Sequence, residues 1–164
     1  MQRLNAREYY IVMIITIIAI VIAILLGREL FSETSPFVSS PDGELVNVRG
    51  VYIMNIVQTS FQLILCITAF IFLLKMHRAG WIIAFSLITF YSVLLSIVMV
   101  AGATSGYFDP LYIVGIFAVV MVLLSIIFLC IPSTIRKFKI TKAAIIPVLF
   151  LWAFMVTIYF IIPK

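Results

Sequence analysis

The sequence predicts an all-α integral membrane protein, a compact bundle of five transmembrane helices with its amino terminus in the cytoplasm and its carboxyl terminus outside. Three observations predict it. Of the 164 residues, 65% are hydrophobic and 10% are charged, whereas soluble domains average roughly 45–50% and about 25%. The mean hydropathy is +1.31. Apolar runs long enough to cross roughly 30 Å of hydrocarbon occur five times along the chain. Lysine and arginine, finally, gather in alternate connections between those runs. A water-soluble globule is excluded, because it could not bury so many long apolar segments. With seven Gly, six Pro and two Cys showing neither period nor density, collagen-like, disordered and disulfide-scaffold chains are excluded as well.

The first span is Tyr10–Gly27, interrupted only by Thr16. Its eight Ile, two Val and two Leu each favour insertion by roughly 0.3–0.6 kcal/mol, about 4–7 kcal/mol together. Arg3, Arg7 and this run resemble a secretory signal, but Leu26-Gly27-Arg28-Glu29 is a poor small-x-small cleavage site, so the segment is expected to remain as a helix. The loop Arg28–Gly50 follows. Its Pro41-Asp42-Gly43 turn signal separates Phe37-Val38 from Leu45-Val46-Asn47-Val48, which predicts a short hairpin over the outer helix ends. The loop acids Glu29, Glu33, Asp42 and Glu44 lack the spacing of a calcium loop and read as solvated charge.

The second span is Val51–Leu74, the third Trp81–Ala103, the fourth Leu111–Ile131 and the fifth Ala143–Ile162. Lys75, His77, Arg78 and Gly80 part the second from the third. Gly106 to Pro110 part the third from the fourth, with Asp109 placed as an N-cap and Pro110 in the first turn. Pro132 ends the fourth span, and the basic run Arg136, Lys137, Lys139 and Lys142 leads into the fifth. Pro147, a turn into that span, is expected to kink it. The chain reads as a single membrane domain over residues 1–164.

Orientation follows from the basic residues. Arg3, Arg7, Lys75, Arg78, Arg136, Lys137, Lys139 and Lys142 lie on one side; Arg28, Arg49 and Lys164 lie on the other. The richer side should be cytoplasmic. The net charge of +5 is therefore a topology signal and does not imply nucleic acid binding. Arg136, Lys137, Lys139 and Lys142 form a loop expected to face lipid headgroups. The plasma or inner membrane is the expected location.

Inside the spans the residues that stand out are polar but uncharged. On the second, Asn55, Gln58, Thr59 and Gln62 project within roughly 100° of one another, and Cys66 continues the stripe. Carboxamides cannot face hydrocarbon unpaired, so this face is read either as interhelical hydrogen bonding or as a polar pocket or pore open to the outside. On the third span Ser86, Thr89, Ser92 and Ser96 fall within about 120°, and on the fourth Gly115, Ala118 and Ser125 within about 80°, which are helix-packing stripes of small residues. Tyr9, Tyr10, Tyr52, Trp81, Tyr107 and Tyr112 stand near span ends and are expected in the interfacial belt. Tyr91 and Trp152 lie deeper and need hydrogen-bond partners.

In length and span number the chain resembles the tryptophan-rich sensory (translocator) family of five-helix membrane proteins. Its two tryptophans stand in Gly80-Trp81-Ile82 and Leu151-Trp152-Ala153, without that family's Trp–Pro motifs, so no ligand chemistry is implied. Neither HExxH, GxSxG nor a P-loop is present, the only histidine is His77, and no Asp, Glu, Lys, Arg or His stands at mid-depth. An enzyme, a cofactor and a bound metal are therefore not expected. The expected function is that of a non-enzymatic subunit, scaffold or accessory of a membrane complex, in contact with the lipid bilayer and with a membrane-protein partner or copies of itself. The alternative is a small oligomeric channel or facilitator with the second span lining the path.

Overall fold

The computed structural model describes residues 5–31, 37–39, 45–47, 49–104 and 110–161; side chains of residues 37–39, 45–47, 49–52, 104, 110–111 and 160–161 are outside that description. Among the described residues, five helices are long and apolar enough to cross a membrane. They are α1 (Ala6–Phe31), α2 (Arg49–Leu74), α3 (Arg78–Thr104), α4 (Pro110–Cys130) and α6 (Ile145–Ile161), while α5 (Pro132–Lys137) and a 3₁₀ turn (Lys142–Ala144) form the link between α4 and α6. Strands β1 (Phe37–Ser39) and β2 (Leu45–Asn47) pair antiparallel, with Phe37 opposite Asn47 and Ser39 opposite Leu45. The expected hairpin is present, although Pro41, Asp42 and Gly43, the acids Glu33 and Glu44, and Gly106, Tyr107 and Asp109 lie outside the described residues.

Helix ends differ from the sequence reading for local reasons. The first helix begins earlier, at Ala6, because Asn5 and Glu8 cap it: the Glu8 amide donates to the Asn5 carbonyl at 2.9 Å and the Asn5 amide donates to Glu8 Oε2 at 2.7 Å. Between α2 and α3 the chain turns in three residues. His77 N–H donates to Phe72 C=O at 2.8 Å and Met76 N–H to Leu73 C=O at 3.0 Å, with Met76 in the left-handed region at φ 53°. This is a Schellman stop made without glycine. The same device ends α5: Ile140 N–H donates to Ile135 C=O and Lys139 N–H to Arg136 C=O, with Lys139 also at φ 53°. Pro132 does more than terminate the fourth span. It forces Ile131 into an extended conformation and then opens α5, where its missing N–H is harmless. Since α6 starts at Ile145, Pro147 falls in its first turn, where an amide has no intrahelical acceptor, and no kink is needed there.

Helix α1 packs on α2 and α4, and α3 packs on the same two, so these four helices close a ring; α6 lies against α3 outside it. The core is the inside of that ring together with the α3–α6 seam. It is built from Ile11 and Ile15 of α1, Cys66, Ala69 and Leu73 of α2, Ala84, Leu87 and Ile88 of α3, Val122 and Leu129 of α4, and Val148 and Met155 of α6. Small residues sit where backbones come closest. A Cβ on Gly80 would lie 2.5 Å from the backbone of Phe72 and Leu73, so only glycine allows α3 to start against the end of α2.

Large apolar side chains also cover the outside. Ile24 of α1, Ile64 of α2, Val98 of α3, Phe117 of α4 and Phe150 of α6 are all exposed, at 60–72%. A soluble protein rarely shows contiguous apolar surface on this scale; a bundle surrounded by hydrocarbon requires it.

Candidate functional site

Two polar clusters interrupt this apolar body. The first is the stripe on α2. Thr59 Oγ1 donates to the Asn55 carbonyl at 2.8 Å, a bond within its own helix that leaves no hydrogen unsatisfied. Gln62 Oε1 accepts from the Tyr91 hydroxyl of α3 at 2.8 Å, across the helix pair and near mid-span. Cys66, one turn on, is fully buried. Tyr91 thereby has the partner its depth demands. Asn55 and Gln58 are half-buried, and neither carboxamide has a hydrogen-bond partner among the described residues. With one end of the span taken at Ile53, Gln58 stands about 7.5 Å and Gln62 about 13.5 Å into it at 1.5 Å per residue.

On α3, Ser86 and Ser92 are buried and Thr89 is half-buried. Ser86 donates to the Ile82 carbonyl, Thr89 to the Phe85 carbonyl and Ser96 to the Ser92 carbonyl, all at 2.7–2.9 Å. Their hydroxyls are consumed within the helix, leaving small, smooth surfaces. Ser96 stands exposed at the end of the stripe. On α4, Ser125 is fully buried, Ala118 is half-buried, and Gly115 lies under the Met99 thioether of α3.

Two residues expected in the interfacial belt are instead used inside. Trp81 is 7% exposed, stacks on Phe85, and donates its indole N–H to the Leu129 carbonyl at 3.1 Å. That carbonyl is among the last four of α4, which have no helical donor. The half-buried Tyr10 donates its hydroxyl to the Met121 carbonyl at 3.0 Å, reaching from α1 to α4. Tyr9 is exposed, as a belt residue should be, and Tyr112 is half-buried; the side chain of Tyr52 is outside the described residues.

The second cluster lies at the ends of α1 and α5. Glu8 is 5% exposed, and its Oε2 accepts from Lys137 Nζ at 2.6 Å as well as from the Asn5 amide. Lys137 is therefore turned toward the bundle, whereas Arg136, Lys139 and Lys142 are exposed on the same linking segment. A cavity of about 420 Å³ opens beside the pair, bounded by Asn5, Ala6, Arg7 and Glu8 on one side and by Ser133, Thr134 and Lys137 on the other. Sequence reasoning missed this site, although Asn5-x-x-Glu8 carries the spacing of a capping box.

Among the described residues, no group of three or more His, Cys, Asp and Glu is placed to hold a metal ion. Among the described residues, no hydroxyl or thiol in either cluster is hydrogen-bonded to a carboxylate, imidazole or amine; the hydroxyl bonds present run to a backbone carbonyl at Thr59 and to a carboxamide at Tyr91. No known protein family, curated protein or solved structure matches the chain.

Proposed function

We propose that the protein is a multi-pass protein of the plasma or inner membrane, with its amino terminus in the cytosol and its carboxyl terminus outside, acting as a non-enzymatic subunit, scaffold or accessory of a membrane complex. The orientation rests on the basic bias of the segments joining alternate spans. The partner rests on one observation: the half-buried carboxamides of Asn55 and Gln58 have no hydrogen-bond partner among the described residues. In hydrocarbon a polar group left in that state costs several kcal/mol, and a helix from another chain removes the cost. The Ser86, Thr89 and Ser96 hydroxyls of α3 and the Ser125 hydroxyl of α4, by contrast, are bonded within their own helices, so the face of α2 is where association is expected.

The test is extraction in mild detergent followed by native electrophoresis. The wild-type chain should migrate as a discrete assembly, and Asn55→Leu with Gln58→Leu should release a folded monomer. An assembly unchanged by both substitutions would overturn the reading. A channel or facilitator is the second reading, favoured because Asn55, Gln58 and Gln62 follow one stripe over about 10 Å of depth. It predicts solute or ion leak in proteoliposomes that the same substitutions remove.

A further inference from the structure

We propose that the cavity between the start of α1 and α5 is a binding site for the headgroup of an anionic phospholipid, with the phosphodiester against Arg7 and the Ser133 and Thr134 hydroxyls. The inference uses the membrane reading but not the partner reading, and it concerns the opposite end of the bundle from Asn55.

The cavity's volume of about 420 Å³ lies within the roughly 300–1,000 Å³ of ligand sites. Its charge is specific. Glu8 and Lys137 cancel each other at 2.6 Å, and the Glu8 oxygen that binds Lys137 also accepts from the Asn5 amide. Arg7 is exposed and has no ion-pair partner among the described residues. The wall therefore presents one uncompensated positive charge beside two hydroxyls, which suits the single negative charge of a phosphodiester. A phosphate monoester or free phosphate brings closer to two.

Position selects a lipid over a soluble diester. Glu8 also bounds a crevice formed by Ile11, Val12, Leu73 and Phe138, too narrow to admit water, so the polar cavity is closed off on its inner side by the apolar core and opens only outward. Asn5, Tyr9 and Met13 follow at four-residue spacing along one face of α1, with Tyr9 59% and Met13 43% exposed. Acyl chains would run down that strip while the headgroup fills the cavity. Exposed Arg136 and Lys139 on the same link raise the local anionic lipid concentration.

The full chain, purified in maltoside micelles and stripped of lipid, is to be titrated with phosphatidylglycerol, phosphatidylcholine or inorganic phosphate. Bound lipid is counted by native mass spectrometry, and thermal stability is followed in parallel. Phosphatidylglycerol alone should bind at low stoichiometry and raise the melting temperature. Arg7→Gln should weaken that binding about fivefold without lowering lipid-free stability, and Ser133→Ala should weaken it less. Lys142→Gln, which removes the same charge outside the cavity, should leave binding unchanged. Equal retention of phosphatidylcholine would overturn the proposal, as would equal stabilisation by inorganic phosphate. Equal weakening by Lys142→Gln would overturn it too, by showing diffuse attraction in place of a site. If Arg7→Gln fails to fold, unchanged binding to Ser133→Ala is the contradicting result.

Discussion

Replacing Gly80 by alanine tests how tightly the helices are set against one another. The added Cβ would stand 2.5 Å from Phe72 C and Leu73 N, whereas ordinary contact begins at 3.4 Å. The start of α3 must therefore retreat from the end of α2 by about 0.9 Å, and the obstacle is backbone, which has no rotamer to give. Overpacking of this kind costs roughly 1–3 kcal/mol, with backbone clashes at the upper end. Alanine returns about 1 kcal/mol of helix propensity. The expected net loss is about 2 kcal/mol. Gly27 supplies the control, since a Cβ there meets nothing within 4 Å, and Gly27→Ala should be neutral or stabilising by up to about 1 kcal/mol. At Gly115 the methyl meets only the flexible Met99 side chain, so that substitution should fall between the other two. Unfolding by titration with SDS in mixed micelles, followed by tryptophan fluorescence and far-UV circular dichroism, ranks the three. A Gly80→Ala protein as stable as the parent, or a series in which Gly27→Ala is the worst, would refute the close approach.

Four further expectations use the same unfolding measurement. Lys139 occupies the left-handed region at φ 53° on an exposed turn, so Lys139→Gly should stabilise by about 0.5–1 kcal/mol; a loss would show that its side chain matters more than its backbone. Trp81→Phe keeps an aromatic ring but removes the donor to Leu129 and leaves space where the larger indole packed, and should cost about 2–3 kcal/mol; no loss would mean the carbonyl finds another donor and the site closes around the smaller ring. A double-mutant cycle with Tyr91→Phe and Gln62→Leu should yield a coupling near 0.6 kcal/mol, and zero coupling would remove the interhelical bond. Lys137→Met leaves the Glu8 carboxylate buried without its cation and should cost about 2–3 kcal/mol. Adding Glu8→Gln should then recover part of that loss, and a double variant less stable than Lys137→Met alone would contradict the pairing.

The five spans, the breaks between them and the presence of a hairpin were legible in the sequence because each is a local matter. Twenty apolar residues need no tertiary partner to be recognised, and Pro41-Asp42-Gly43 marks a turn between two short apolar runs by itself. What escaped depends on which way a single side chain points. Trp81 near a span end fits an interfacial anchor as well as a buried cap, and only the nearness of the α4 terminus, 48 residues on, decides for the second. Glu8 reads in the sequence as one acid beside the basic residues Arg3 and Arg7, because nothing local shows that Lys137, 129 residues away, turns inward to meet it. The Asn5-x-x-Glu8 spacing was the readable part, and it would have placed the start of α1 four residues earlier than hydropathy does. Gln62 was recognised as needing a partner, while the identity of Tyr91 followed only from the packing of α2 on α3.

Cysteine labelling in intact cells tests the membrane-spanning arrangement most directly. Cys66 and Cys130 are first replaced by alanine, and single cysteines are then introduced by Ser39→Cys in the hairpin and Lys139→Cys in the basic link. A membrane-impermeant maleimide added from outside should label the first and leave the second untouched until the membrane is permeabilised. Equal labelling of both positions in intact cells, or the opposite pattern, would contradict five crossings with the basic links held in the cytosol.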